Sequence, residues 1–219
     1  QGILMASVTL SSGLAEECAD LGIPVVLFNR IIPDTRASTV SSDNFGGGQR
    51  IGRFLLRGGH QRIAYIAGQE ESSTNRDREA GFLFALGEAN VECWQKEVGN
   101  YDFEKAADAA RRLMSGSDSP DAIFVASDAM AISVMDTLRE EHGIQIPDDI
   151  SVVGYDNIPQ SAWAAYNLTT VEQQFSAMIR VAVQTLLQQI QSGQVKSESF
   201  VLPGNMMVRG SARLPPDLA

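Results

Sequence analysis

The stretch Ile150-Ser151-Val152-Val153-Gly154-Tyr155-Asp156-Asn157, followed at short distance by Leu168-Thr169-Thr170-Val171-Glu172-Gln173, decides the architecture of this chain. Ile150, Val152 and Val153 form an apolar, β-branched run, the composition of a buried strand. Gly154 lets a neighbour come close, and Asp156 stands at the strand's C-terminal tip. Ligands of open α/β sheets bind beyond the carboxyl ends of the strands. Asp156 is therefore placed where a polar ligand would be gripped.

Outward from that strand, extended and helical patterns alternate. Strands are expected at Gly2 to Val8, Pro24 to Asn29, Thr39 to Ser42, Arg62 to Ala67, Asp121 to Ala126, Ile150 to Asp156 and from Leu168, with short terminal strands at Val201-Leu202 and Val208. Helices are expected from Ser11 to Leu21, stopped by Gly22 and Pro24, and from a cap at Asp43 or Asn44 to Gly58-Gly59. A third runs from Ser73 or Thr74 to about Ala89, with Phe82, Leu83 and Leu86 on one apolar face. Phe103 to Met114, Ser127 or Asp128 to Glu141, and Ser176 to Gln191 complete the set. Alternating strands and helices imply an α/β fold with parallel sheets and right-handed crossovers. The opening strand reads as an interior one, and its apolar edge at the start of the chain points to elements upstream of Gln1.

Composition narrows the function. The 219 residues are 44% hydrophobic and 20% charged, ordinary for a soluble globular chain. No run is long and apolar enough to span a membrane, and the first residues do not read as a signal peptide. The net charge of −10 disfavours a phosphate backbone as a direct partner. Cys18 and Cys93 fit neither a disulfide framework nor a CxxC site and read as reduced structural thiols, which points to the cytoplasm. Catalytic motifs are missing too. The two histidines, His60 and His142, read as a loop anchor and a helix-end residue, and no nucleophile elbow or metal motif accompanies them. Gly46-Gly47-Gly48 lacks the phosphate-loop pattern, so these glycines are expected to loosen or closely pack the first turns of a helix. Asp148-Asp149 reads as a solvated turn. No enzyme, cofactor or metal is expected.

Several blocks in order resemble the effector-binding region of LacI/GalR (lactose-repressor/galactose-repressor) family transcription regulators. They are Gly22-Ile23-Pro24-Val25-Val26 with Asn29-Arg30; Asp43-Asn44 with Gly59-His60-Gln61-Arg62-Ile63-Ala64; Gly68 with Arg78-Glu79-Ala80-Gly81-Phe82; Ala126-Ser127-Asp128 with Met130-Ala131; Ile146 through Asp156; Leu168-Thr169-Thr170-Val171 with Gln173; and Arg209-Gly210-Ser211. The resemblance covers nearly the whole chain. The family's DNA-reading helix-turn-helix, its hinge helix and its first two βα units have no counterpart in it.

The resemblance implies a type I periplasmic-binding-protein-like fold, in which two Rossmann-like lobes joined by three crossovers bind a small effector. Crossovers are expected near Gly59–Arg62, Thr170–Phe175 and Ser197–Val201. That assigns residues 1–59 and 174–198 to an N-terminal lobe, 60–173 and 199–214 to a C-terminal lobe, and 215–219 to a tail. By position, Arg78 and Asp156 match effector-contacting residues: the guanidinium fork donates, and the carboxylate accepts from hydroxyls. Tyr101 aligns with an aromatic that stacks on the effector. Ser127 stands where many relatives have Asn. Gln173 and Phe175 match a crossover, and Thr74, Asp43 and Ser7 are candidate wall residues. The implied effector is a sugar or sugar acid, and the implied partners are a second copy of the chain and operator DNA reached through a domain outside this sequence. A periplasmic sugar-binding protein of a transport system is the rival reading. Arg78→Ala and Asp156→Ala are each expected to weaken effector binding by roughly 1.5–3 kcal/mol with little loss of folding.

Overall fold

The structure is a computed structural model describing residues 1–6, 9 and 13–218. The chain divides into two compact units, one comprising residues 1–44, 71–76 and 174–204, the other residues 45–70, 77–173 and 205–219.

Among the described residues, the first unit is built on four parallel strands in the order β1-β2-β3-β9: β1 (Ile3–Ala6), β2 (Val25–Phe28), β3 (Ser38–Ser42) and β9 (Ser199–Leu202). Helix α1 (Leu14–Asp20) packs through Ala15 and Cys18 against Met5, Val25 and Leu27. Helix α6 (Phe175–Ser192) seats Met178 and Ala182 on Val26 and Val40. Gly193, in the left-handed region at φ +67°, stops α6. The return to β9 is then pinned by Gln189, whose Nε2 donates to Ser38 Oγ at 2.8 Å and to the Lys196 carbonyl at 3.1 Å.

The second unit holds six strands in the order β10-β8-β7-β6-β4-β5: β4 (Ile63–Ala67), β5 (Lys96–Val98), β6 (Ala122–Val125), β7 (Ser151–Asp156), β8 (Thr169–Glu172) and β10 (Asn205–Met207). The inner strands β4, β6 and β7 read apolar on both faces because helices cover both faces of such a sheet. Those helices are α2 (Asn44–Arg57), α3 (Ser73–Glu88), α4 (Phe103–Leu113) and α5 (Asp128–His142). Tyr65, Phe82 and Phe124 stack at the centre, with ring centroids 5.0–5.7 Å apart. A short 3-10 turn, Pro159–Ala162, links β7 to β8.

Several expectations change. The division falls at Asn44/Phe45 rather than near residue 59, because α2 packs on α3. A Cβ at Gly48 would collide with the Arg78 carbonyl, and one at Gly81 with the Phe45 carbonyl. The glycine cluster therefore serves close helix packing. The third division falls after Gly204, because β9 pairs in register with β3 and so belongs to the first sheet. Residues 71–76 also group with the first unit, where Ser73 Oγ accepts from the Ile31 N–H at 2.9 Å. The terminal strand expected at Val208 lies just before it, as β10, and runs antiparallel to β8. Leu83 is exposed at 42%, because the buried stripe of α3 follows Phe82, Ala85 and Leu86 and Leu83 lies round the helix from it. Strand β5 has no counterpart in the expected set. The first expected strand and helix extend over residues 7, 8, 11 and 12, which lie outside the described residues.

Candidate functional site

The carboxyl ends of β7 and β8, the second turn of α3 and the first turn of α5 bring a charged cluster together in the second unit. Asp156 ends β7, as its place after the Val152-Val153 run predicts, and its Oδ1 lies 3.2 Å from Arg78 Nη2. Gln173, just past β8, donates from Nε2 to the same oxygen at 2.6 Å. Arg78 is 2% exposed on α3. Its Nη1 donates to the Ala126 carbonyl at the end of β6 at 2.5 Å. The guanidinium carbon lies 3.7 Å from the centroid of the Tyr155 ring, a cation–π contact. Tyr101 packs its ring against Gly68, at a point where a Cβ would collide with it.

Burial and charge oppose each other here. Burial pushes the Asp156 carboxyl up to about 6; Arg78 and Gln173 pull it down, and the negative field of Asp128 adds to the rise. For Arg78, burial disfavours the charge, but Asp156, Tyr101, Tyr155 and Tyr65 outweigh it and raise its affinity for the proton. The backbone at Asp156 is at φ +121° and at Asn157 at φ +56°, a left-handed pair that non-glycine residues adopt only when held there. Such strain clusters at binding sites.

Among the described residues, Gln173 Oε1 is buried without a hydrogen-bond partner. The contacts that Arg78 and Gln173 make with the Asp156 carboxylate both fall on Oδ1. Carboxylate and amide oxygens beside a fixed guanidinium can take donor groups, such as neighbouring hydroxyls, from a polar ligand. Among the described residues, no group of three or more His, Cys, Asp or Glu side chains is placed to hold a metal ion.

The structure therefore gathers Arg78, Asp156 and Gln173 by direct contact, with Tyr101 near enough for its field to reach Arg78. Ser127 follows Ala126 and caps α5, accepting from the Met130 N–H at 3.4 Å. Three other expected residues fall in the first unit. Asp43 follows β3 and donates its N–H to the Leu202 carbonyl. Thr74 lies in the first turn of α3, buried, with its hydroxyl 3.0 Å from that of Ser72. Phe175 opens α6 and tilts against Phe28, with centroids 6.2 Å apart. Ser7 lies outside the described residues. The sequence reading missed Tyr155, taken only as a strand residue, although its position one before a candidate ligand group was a signal. Asp128 enters the sequence reading only as one of two candidate caps of α5, beside Ser127, and the structure gives that role to Ser127.

His60 is buried, its Nδ1 3.5 Å from Asp121 Oδ1, and among the described residues neither ring nitrogen has a hydrogen-bond partner. The loop bonds expected of His60 are made by Asp121, which accepts from the N–H groups of Gln61 and Arg62. Cys18 and Cys93 are both free thiols.

Comparison with known proteins follows the same lines. Residues 53–212 match the model of the periplasmic binding protein-like domain. The chain is 31% identical over 213 residues to a Bacillus subtilis (strain 168) protein named "Probable HTH-type transcriptional repressor ExuR", spanning 96% of this chain and 64% of that one. It superposes on a complex of the transcriptional regulator CelR with cellobiose at a TM-score of 0.88 and 31% identity, covering 96% of this chain and 65% of that one. The lac repressor dimer bound to operator and the anti-inducer ONPF gives a TM-score of 0.86 at 26% identity, with 96% and 73% covered. The chain spans less than two thirds of the length of the repressors it matches in sequence.

Proposed function

The chain belongs to the periplasmic binding protein-like domain family, and on that footing we propose that it is the effector-binding region of a LacI-type, DNA-binding transcription regulator. The ligand is a small polyhydroxylated molecule of the sugar class. The observation that carries this reading is the Arg78–Asp156–Gln173 cluster, whose carboxylate and Gln173 Oε1 offer acceptors for hydroxyl donors beside a buried guanidinium. Arg78 supplies the positive charge that keeps Asp156 able to accept. Tyr101, with its apolar ring face, suits the C–H face of a sugar. CelR, whose structure holds cellobiose, supports the sugar class by likeness.

The regulator works by binding rather than by transforming its ligand. A ligand shifts a conformational equilibrium only as far as its affinities for the two states differ. In the whole protein that shift changes the affinity of a DNA-reading domain for operator. The protein works as a homodimer in the cytoplasm, as the operator-bound lac repressor dimer suggests by likeness. The repressor names among the relatives favour this reading over a sugar-binding protein of a transport system. Among the described residues no helix is long and apolar enough to cross a membrane.

A thermal-shift screen of cellobiose, ribose, glucose, galacturonate and hypoxanthine tests the reading, run on the wild type and on Asp156→Asn. The expected result is a saturable rise in melting temperature with at least one of the sugars, lost in the variant. A rise of equal size in both proteins, or a response to hypoxanthine alone, overturns it.

A further inference from the structure

Asp128 is a buried carboxylate that the ligand reading leaves unused. It is 0% exposed at the start of α5. Its Oδ2 accepts from the Ser161 hydroxyl at 2.6 Å and from the Ile158 N–H at 3.0 Å. Its Oδ1 accepts from the Thr170 hydroxyl at 2.6 Å. On its other side the carboxylate lies against β7, where a Cβ at Gly154 would collide with Oδ1. These contacts fall on both sides of the left-handed pair, since Gly154 precedes Asp156 by two residues and Ile158 follows it by two. Ser161 and Thr170 extend the hold to the 3-10 turn and to β8.

We propose that Asp128 is a positioning residue that clamps the β7 turn from both sides, holding Asp156 in its left-handed backbone conformation with its carboxylate aimed at Arg78. A carboxylate suits the task because it only accepts, and so can take two hydroxyls and an N–H at once. Asparagine in the same place would turn an NH2 group toward one of those donors. Burial pushes the Asp128 carboxyl above the ordinary range, while the Ser161, Thr170 and Ile158 donors pull against that rise. A buried charge held at such cost by donors from three segments fits a part that fixes geometry. Its consequence for ligand binding rests on the reading of Asp156 as a ligand group, but the clamp itself does not.

The test needs no ligand. In protein labelled with 15N-aspartate, the amide-to-Hα coupling of Asp156, assigned with Asp156→Asn, reports its φ directly. The wild type is expected to show the small coupling that φ near +121° gives. Asp128→Asn is expected to convert it to the large coupling of extended backbone while the far-ultraviolet spectrum stays native. A retained small coupling in folded Asp128→Asn overturns the proposal. Where Asp128→Asn does not fold, the double variant Ser161→Ala/Thr170→Val strips the hydroxyl donors and leaves the carboxylate in place. The same loss of the small coupling supports the clamp there, and an unchanged coupling overturns it. A clamp confirmed in a protein that binds no sugar sinks only the ligand reading.

Discussion

A raised carboxyl in the folded state makes stability fall as pH rises, and Asp156 provides the case. Its folded value is about 6 against an ordinary 3.8, so between those values the folded chain holds a proton that the unfolded chain has released. The slope of stability with pH has the sign of unfolded minus folded proton uptake, and here that difference is negative. Asp156 therefore favours the folded state most at the acid end of the window, and that contribution is lost as pH rises through about 6. The whole shift is worth about 3 kcal/mol, and the part lost between pH 4.5 and 7 about 2 kcal/mol. Urea denaturation followed by tryptophan fluorescence measures it in the right place, since both tryptophans, Trp94 and Trp163, lie in the second unit. Asp156→Asn is the reference. It loses the ion pair with Arg78 and so falls in absolute stability, but it removes this slope and keeps contributions shared with the wild type, such as that of His60, whose burial lowers its own value. Wild-type stability relative to the variant is expected to decline by about 2 kcal/mol from pH 4.5 to 7. Parallel pH profiles in the two proteins would refute a desolvated carboxyl at this position.

Other perturbations follow from the same contacts. Arg78→Ala strands the buried Asp156 carboxylate and the Ala126 carbonyl, and is expected to cost about 3–5 kcal/mol of stability in urea melts. Arg78→Lys should recover only part, because an ammonium has no planar fork to bridge Asp156 and Ala126 while lying on the Tyr155 ring. Gly81→Ala drives a methyl group into the Phe45 carbonyl and is expected to lose about 1–3 kcal/mol, since the obstacle is backbone and the helices must separate. Asp102→Ala removes the cap of α4, where the carboxylate accepts from the Lys105 N–H at 2.9 Å, and a loss of about 1 kcal/mol should appear as a lower melting temperature.

How far the sequence can be read depends on whether a residue's partner lies nearby in the chain. The inner strands were legible because Ile63 to Ala67, Ala122 to Val125 and Ser151 to Asp156 are buried on both faces, so their composition alone carries the signal. The edge strand β5 was not, since Lys96-Glu97-Val98 is short and charged and is held by pairing with β4 and by ion pairs to Glu79 and Arg112, all distant in the chain. Strand β9 was legible as a strand but not as a member of the first sheet, because Val201 meets Ser41 across 160 residues of chain. The candidate site divides the same way. Asp156 follows from strand logic, and Arg78 and Gln173 from family resemblance. The energetic role of Arg78 did not follow, because no local pattern reveals that its guanidinium is enclosed by Tyr155, Ala126 and Asp156. Its burial replaces the expectation that Arg78→Ala spares folding with an expected loss of stability. Asp128 is the sharper instance. Its position before a helical run satisfies every rule for a cap, yet Ser127 takes that role, and the donors to Asp128 come from 30, 33 and 42 residues away. Capping is a contact within one turn and is legible in sequence; a clamp that closes loops of that length exists only once the sheet has brought β7, β8 and α5 together. The residues that hold the ligand group in place are thus less legible than the ligand group itself.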